Sequence, residues 1–262
     1  MSHAPIKHLN IICYKWGDRY SSEEVNILRA SVRRNLSIPH RFFCLTDDTT
    51  GLAADIETAP LSELGRIGNG PKIYTFSEGF LGLGPKDYVV SLDIDIVIVG
   101  SLDFLADRPE LDFVIARHRA SRTRSRGHGA VYRLRVGSMA HIWNDFVADV
   151  QGWSNRLPGK NDNPFSEQRW LEHHFKGREM DHFPDNKIII FRVDCAARSF
   201  SYFLGRRAGQ LGLTTAFLGK ARLPGKGEAI VSFSGQTKPK DVLHRHHGHL
   251  KQAPFAAEHW HL

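Results

Sequence analysis

Apolar residues in the first part of the chain fall into short runs, separated by one segment with a different period. The runs "HLNIICY" and "HRFFCLTD" have strand length and are dense in aliphatic and aromatic residues, which predicts two buried strands. Between them, residues 21–36 carry apolar positions at helical spacing, with Ser21 and Glu24 at the spacing of a capping box. "IETAPL" predicts a short third strand and "GPKIYTFSEGF" a helix. This alternation predicts an α/β fold with a parallel sheet and crossover helices.

The run "YVVSLDIDIVIV" has the composition of a strand that is buried on both faces, yet it contains Asp93 and Asp95. A carboxylate in such surroundings costs several kcal/mol unless its charge is compensated. Two explanations remain open: the strand ends where the aspartates begin, or a cation sits between them.

Beyond Gly100 the pattern is less regular but still alternates. "DFVIARH", "GAVYRLRVG", "NKIIIFR" and "EAIVSFSG" predict strands, and "MAHIWNDFVADV" and "SEQRWLEHHF" predict helices. The tail, residues 244–262, is basic and rich in histidine and has no clear periodicity. Because there is no internal repeat and no long linker, we expect residues 1–262 to form a single domain.

The formal charge of +7 predicts partners that carry negative charge: nucleic acid, acidic lipid headgroups or a phosphorylated substrate. The three cysteines lie in apolar runs, which is typical of buried thiols in a reducing compartment. No run has the length of a membrane span, and the first residues lack the pattern of a secretory signal. We therefore expect a cytoplasmic protein. Its positive charge also fits peripheral contact with the anionic inner face of the membrane.

The two aspartates admit several interpretations. At the carboxyl end of a parallel strand they would lie where such sheets bind ligands, and paired carboxylates suit Mg²⁺ or Mn²⁺. They could instead hold turn amides or an arginine. A phosphatase of the haloacid-dehalogenase type also uses Asp-x-Asp, with the first Asp as nucleophile. In those phosphatases the motif normally follows the first strand, whereas two strand–helix units precede it here.

An ordered series of segments resembles glycosyltransferase family 8 and related bacterial enzymes of the GT-A fold. The series consists of "YKWGDRYSSEEVNILRASVRRNLSIPHRFFCLTDD", "GPKIYTF", "SLDIDIVIVGSLDFL", "FSEQRWL" and "VSFSGQTKP". The resemblance implies a single Rossmann-like domain with a mostly parallel central sheet flanked by helices. It also implies a nucleotide-binding half at 1–105 and an acceptor and donor-sugar half at 106–243. The implied activity is metal-dependent transfer from a UDP-sugar, with retention, to a saccharide, lipid-linked or protein acceptor.

The same resemblance implies roles for individual residues. Asp93 would face the ribose and the metal, and Asp95 would ligate Mn²⁺ or Mg²⁺. Glu167 and Gln168 would assist the reacting sugar carbon, although a helix start is an equal explanation for Glu167. The resemblance also implies contacts with the nucleotide or the donor sugar for a further set of residues. Core packing, an ordinary turn or a solvated lysine is the alternative explanation for members of this set. The set consists of Tyr14, Trp16, Tyr20, Thr46, Asp47, Lys72, Gly235 and Lys238.

The chain departs from the family pattern at two places, and one rival function remains. Ser234 stands where the family has a histidine that would complete the metal site, and Glu167 stands where it has an aspartate. The rival is binding of nucleic acid or another polyanion by the arginine-rich segment 117–135. Since Tyr132 is the one aromatic residue in that segment, a loop that faces the acceptor or a phosphate is the better interpretation.

Overall fold

The computed structural model describes residues 4–119, 126–159, 163–196, 207, 211, 220–233, 235, 237–245, 247 and 250–262. The chain forms two compact units. The first consists of Met1–Val25, Ile38–Ile94 and Asp103–Phe183, and the second of Asn26–Ser37, Asp95–Leu102 and Pro184–Leu262.

The first unit is built on a six-stranded sheet with the order β3-β2-β1-β4-β7-β6. Its strands are β1 Leu9–Lys15, β2 His40–Thr46, β3 Glu57–Ala59, β4 Tyr88–Leu92, β6 Phe113–Arg117 and β7 Gly127–Arg135. β1 is parallel to β2 and β4, β2 is parallel to β3, and β7 is antiparallel to both β4 and β6. The predicted α/β fold with a mostly parallel sheet is therefore confirmed.

Three helices lie in the chain close to where the apolar pattern predicts them: α1 Ser22–Asn35, α2 Ala140–Ala148 and α4 Glu167–His174. A helix between the last two, α3 Val150–Arg156, is not among the predicted ones. At the start of α1 the Glu24 N–H donates to Ser21 Oγ at 3.2 Å, and the Ser21 N–H donates to Glu24 Oε2 at 2.8 Å. This reciprocal pair is the predicted capping box. The segment "GPKIYTF" is helical as expected, but it forms a 3₁₀ helix, Gly70–Phe76.

The apolar run around the two aspartates is not one continuous strand. β4 ends at Leu92, the chain turns through residues 93–95, and β5, Ile96–Ile98, belongs to the second unit's sheet. Of the two explanations that the sequence left open, the strand end at the aspartates is the one observed. The turn allows Asp93 to follow a fully paired strand without lying inside the sheet.

The second unit contains a three-stranded sheet with the order β5-β9-β8, where β8 is Ile188–Ile190 and β9 is Ile230–Ser232. β8 and β9 are parallel, and β5 is antiparallel to β9. A π-helix, Phe191–Cys195, follows β8, and the short helices α5, Pro239–Val242, and α6, Pro254–His259, come later. The tail thus contains a short helix although its sequence has no clear period, because Pro254 starts the turn and Phe255 is buried.

Each unit has its own apolar core. The first is rich in aromatic rings, with Phe76, Tyr132 and Trp170 fully buried, and the second surrounds the stacked pair Phe191 and Phe233. All three cysteines are buried free thiols, as predicted: Cys13, Cys44 and Cys195. In the part of the chain that the structure describes, no helix has both the length and the apolar character needed to cross a bilayer.

Candidate active site

Three charged side chains meet at the end of β4 in the first unit. Asp93 directly follows β4, Lys72 lies in the 3₁₀ helix Gly70–Phe76, and Glu167 is the first residue of α4. Lys72 Nζ donates a hydrogen bond to Asp93 Oδ1 and lies 3.8 Å from Glu167 Oε2. The sequence names all three residues as site candidates, and the structure brings them together.

A hydrogen-bond network fixes the backbone of Lys72. Thr75 Oγ1 donates to the Lys72 carbonyl at 2.8 Å, and it accepts from the Tyr132 hydroxyl at 2.9 Å. The Tyr14 hydroxyl lies 2.7 Å from the same Thr75 oxygen, so Tyr14 is the second donor to it. Tyr14 is buried, so this nucleotide-site candidate lies in the core, within the network that holds the Lys72 backbone. The sequence does not reveal this network, because its members are far apart in the chain.

Glu167 is held in an almost fully buried position. Glu167 is the first residue of α4, and Ser166 Oγ caps this helix by accepting a hydrogen bond from the Arg169 N–H at 3.3 Å. Oε1 has no hydrogen-bond partner among the described residues, and a Cβ added to Gly129 would lie 2.6 Å from it. Gly129 therefore leaves the space that this carboxyl occupies. A buried acceptor without a partner in a cluster of charges is a typical feature of a ligand-binding site.

The charges of the cluster shift each other's pKa. Burial raises the pKa of Glu167 to about 7, against the opposing effect of the Lys72 ammonium. The rise prevails because burial is the larger effect and the neighbouring Asp93 carboxylate adds to it. For Lys72, burial acts to lower the pKa, but the two carboxylates outweigh it and the pKa is raised. The cluster therefore keeps a protonated lysine, and Glu167 can change its charge near neutral pH.

His128 is a further residue of this region that the sequence does not single out. It lies on β7, and its ring centroid is 6.2 Å from that of His118. Burial lowers the pKa of His128 to about 4; Asp93 opposes this effect, and His118 and Lys72 add to it. The imidazole is therefore neutral at pH 7 and can either donate or accept a hydrogen bond. The sequence does not relate His128 to Glu167; the fold does, because Gly129, the next residue, lies against the Glu167 carboxyl group.

Several nucleotide-site candidates lie where β1 and β2 end. Thr46 is buried, and its Oγ1 donates to the Asp48 carbonyl at 2.9 Å, so it holds its own turn. Asp47 is exposed, accepts from the Gly17 N–H at 3.3 Å and lies 3.4 Å from Arg66 Nη2. The other two aromatic candidates, Trp16 and Tyr20, are half-buried. Parallel strands carry these residues to one edge of the sheet, where a base could be enclosed.

The remaining candidates lie beside α4 or in the second unit. Gln168 is half-buried next to Glu167, and Asp95 is buried, with its carbonyl accepting from the Phe233 N–H at 3.0 Å. Gly235 has φ +93°, a conformation that favours glycine. The Lys238 N–H donates to Asp241 Oδ2 at 2.8 Å just before α5. The third metal-ligand candidate, Ser234, lies outside the described residues.

The donor atoms of Asp93 and Asp95 are of the type that a hard divalent cation takes. Among the described residues there is no group of three or more His, Cys, Asp or Glu side chains that could hold a metal ion. Mg²⁺ in nucleotide-dependent enzymes is commonly bound by one or two carboxylates together with substrate phosphates. Two aspartates therefore fit a metal whose remaining ligands come from a phosphorylated substrate.

Two arginines of the segment 117–135, Arg126 and Arg133, make contacts within the protein. Arg133 is fully buried, and its guanidinium donates to four backbone carbonyls, those of Leu105, Asp107, Arg108 and Leu111. Arg126 forms an ion pair with Glu172 at 2.8 Å. Residues 120–125 of this segment lie outside the described part. Arg133 cannot contact a polyanion, which weighs against the rival function.

Comparisons with known proteins identify the fold. No protein-family model matches the sequence, and no curated protein matches it either. A solved structure of the galactosyltransferase LgtC, in complex with donor and acceptor sugar analogues, matches with a TM-score of 0.53 and 14% identity over 88% of this chain and 88% of that chain. The apo form of the glycosyltransferase GlyE from Streptococcus pneumoniae TIGR4 matches with a TM-score of 0.52 and 14% identity.

A second structure of GlyE matches with a TM-score of 0.51 and 15% identity over 87% of this chain. The matches span 55% and 56% of the two GlyE chains, so GlyE contains a large part that has no counterpart here. The similarity to LgtC extends over nearly the whole of both chains and includes the six-stranded sheet. The chain therefore has the GT-A fold of these glycosyltransferases, as the resemblance in its sequence implied.

Proposed function

We propose that this protein is a metal-dependent glycosyltransferase that moves a sugar from a nucleotide diphosphate, with UDP as the expected nucleotide, to an acceptor hydroxyl. The observation that carries the proposal is the contact of half-buried Lys72 with half-buried Asp93 and buried Glu167 at the end of β4. Its support from outside the chain is the shared fold with LgtC, whose structure holds donor and acceptor sugar analogues.

The reaction determines what the site must do. The bond between the anomeric carbon and the diphosphate oxygen breaks, and its electron pair leaves with the diphosphate. The acceptor oxygen bonds to the carbon, and its proton leaves with the departing group. Negative charge therefore grows on the diphosphate while the sugar carbon becomes positive. The sequence resemblance implies that the configuration at this carbon is retained.

Asp93 and Asp95 would hold the divalent cation, Mn²⁺ or Mg²⁺, which supplies positive charge to the diphosphate when it is bound. Lys72 keeps the Asp93 carboxylate in place through its hydrogen bond. Glu167, when ionised, offers negative charge to the sugar carbon, and Gln168 offers an amide beside it. In the second unit, Gly235 and Lys238 would bind the diphosphate. The acceptor remains an open choice among a saccharide, a lipid-linked group and a protein.

A nucleotide-sugar panel tests this proposal. Thermal unfolding is measured with UDP-sugars, GDP-sugars and their free nucleotides, each with and without Mn²⁺. A ligand present at about 100 times its Kd stabilises the folded state by about 2.7 kcal/mol, which raises the melting temperature by several degrees. We expect such a rise for UDP compounds and only in the presence of Mn²⁺. A panel in which no nucleotide shifts the melting temperature would contradict the proposal.

Lys238 provides a second test, because its ammonium is proposed to meet a phosphate and not the base. Lys238→Ala should weaken the binding of UDP and leave the binding of uridine unchanged, since a nucleoside offers no diphosphate. Lys240→Ala, an exposed lysine two residues further on, is the matched control. Equal losses for UDP and uridine in calorimetry would remove Lys238 from the diphosphate site.

A further inference from the structure

Three chain segments meet at one edge of the second unit's sheet, namely the edge formed by the carboxyl ends of β8 and β9. β8 and β9 are parallel and paired from Ile188 with Ile230 to Ile190 with Ser232, so the chain leaves both strands at the same edge. β5 is antiparallel to β9, with Ile96 opposite Ser232, so the chain enters β5 from that edge. This edge therefore carries Asp95 before β5, Arg192 after β8 and Gly235 after β9. Ligands of α/β proteins bind at the carboxyl ends of parallel strands.

Arg192 is half-buried at this edge, and its charge is not used by the fold. No hydrogen bond or ion pair joins its guanidinium to another described residue, and Nε is buried without a partner. The neighbouring carboxylate of Asp194 accepts instead from the Ile190 N–H at 2.8 Å. Buried polar groups are almost always hydrogen-bonded, so an unpartnered guanidinium nitrogen at a strand end indicates that a ligand provides the acceptor.

Gly235 lies directly beside this guanidinium. A Cβ on Gly235 would lie 3.1 Å from Arg192 Nη2, and the φ of +93° disfavours any side chain there. The stacked rings of Phe191 and Phe233, 4.4 Å apart, fix the two strand ends to each other. The half-buried guanidinium and the exposed backbone of Gly235 therefore lie side by side where β8 and β9 end.

We propose that Arg192 binds the diphosphate of the nucleotide-sugar donor, together with Gly235 and Lys238. This inference rests on the proposed function and adds to it a cation that the sequence analysis does not name. A planar guanidinium donates two parallel hydrogen bonds to a phosphate, which a lysine cannot do. Arg192 thereby stabilises the leaving diphosphate at the edge where β8 and β9 end.

Calorimetry on Arg192→Gln tests the inference, with UDP, uridine and inorganic pyrophosphate as probes in the presence of Mn²⁺. Lys226→Gln is the matched control, because Lys226 is exposed, precedes β9 at the opposite edge and gives the same change in net charge. We expect Arg192→Gln to weaken the binding of UDP and of pyrophosphate about tenfold or more, because charge-assisted hydrogen bonds are lost. The affinity for uridine should stay unchanged. Arg192→Lys should recover only part of this loss, because a lysine keeps the positive charge but cannot donate the two parallel hydrogen bonds of a guanidinium.

The outcomes separate the inference from the proposed function. If UDP binds Arg192→Gln as tightly as it binds the parent protein, the inference is wrong and the proposed function stands. If binding of UDP and pyrophosphate depends on Arg192 but no nucleotide sugar is turned over, Arg192 is a diphosphate-binding residue and the proposed transferase function is wrong. If the parent protein binds neither UDP nor pyrophosphate, both are wrong. A melting temperature measured for each variant shows that the loss is not due to unfolding.

Discussion

Lys72 donates a hydrogen bond to Asp93, so the first carboxylate of the Asp-x-Asp motif already has a cation beside it in the protein itself. The second carboxylate near this ammonium, Glu167, lies 3.8 Å away and almost fully buried. The strand ends before Asp93, and the ammonium of Lys72 accompanies the Asp93 carboxylate. The lysine is the group on which the charge balance of the site depends.

Removal of this lysine should destabilise the protein strongly. Lys72→Met leaves two carboxylates in a buried place without a counter-charge, and breaking a buried ion pair in this way costs about 3–5 kcal/mol. The free energy of unfolding in urea at pH 8 measures the loss. Lys86→Met, at an exposed lysine of the same unit, should change it little.

A rescue variant separates the effect of charge from the effect of packing. The triple variant Lys72→Met, Asp93→Asn, Glu167→Gln removes both carboxylates and should recover much of the stability that Lys72→Met loses. If the triple variant is less stable than the single one, the loss comes from the shape of Lys72 and not from its charge.

Glu167 should make the stability of the metal-free protein depend on pH. Its pKa is raised from 4.5 to about 7 on folding, so between these values the folded protein binds more protons than the unfolded chain. The free energy of unfolding then falls as pH rises through this window, by on the order of 3 kcal/mol in all. Glu167→Gln should lack that fall when urea unfolding is measured in the presence of a chelator. Parallel pH curves for the two proteins would show that Glu167 does not titrate in this range.

Gly129 should act as a positioning residue for Glu167. In Gly129→Ala the new Cβ would lie 2.6 Å from Glu167 Oε1, so the carboxyl has to move. Displacement of a positioned group by about 1 Å can cost up to about a hundredfold in rate, and we expect kcat to fall without a matching loss of UDP affinity. Gly84→Ala is the control, because its Cβ would come no closer than 3.8 Å to a neighbouring atom, Asp87 Oδ2. Equal kcat in the two variants would argue against this role.

Arg133 should matter for folding and not for binding of polyanions. Arg133→Met leaves four backbone carbonyls without their donor and should lower the free energy of unfolding by on the order of 3 kcal/mol. Arg135→Met, two residues along the same strand, loses only a half-exposed pair with Asp112 and should cost about 0–1 kcal/mol. If Arg133→Met shortens retention on heparin more than Arg135→Met does, the arginine-rich segment acts as a polyanion site after all.

The sequence predicts the order of strands and helices well, because each is a local pattern. The run around Asp93 is different, since it is apolar from Tyr88 to Val99 apart from Ser91 and the two aspartates. Where it breaks is decided by pairing with distant partners: β4 pairs with β1 and β7, and β5 pairs with β9. Periodicity cannot reveal such partners.

The sequence names candidate residues for the site but does not show how they are arranged. The sequence resemblance names Lys72, Asp93 and Glu167 separately, and only the fold shows that the ammonium lies against both carboxylates. Arg133 is the opposite case, because its position in a basic stretch predicts an exposed charge and the structure buries it. Burial of a charged side chain depends on contacts with residues far away in the sequence, which the local pattern does not contain.

The most direct test of the account is the release of UDP from a UDP-sugar in the presence of Mn²⁺, measured for Asp93→Asn against the parent protein. The control is Asp181→Asn, an exposed aspartate of the same unit. Loss of an electrostatic group that acts on the transition state costs about a hundredfold or more in rate. The account predicts at least that loss in Asp93→Asn, with the variant still folded, and an unchanged rate in Asp181→Asn. Equal rates of UDP release in the two variants would contradict it.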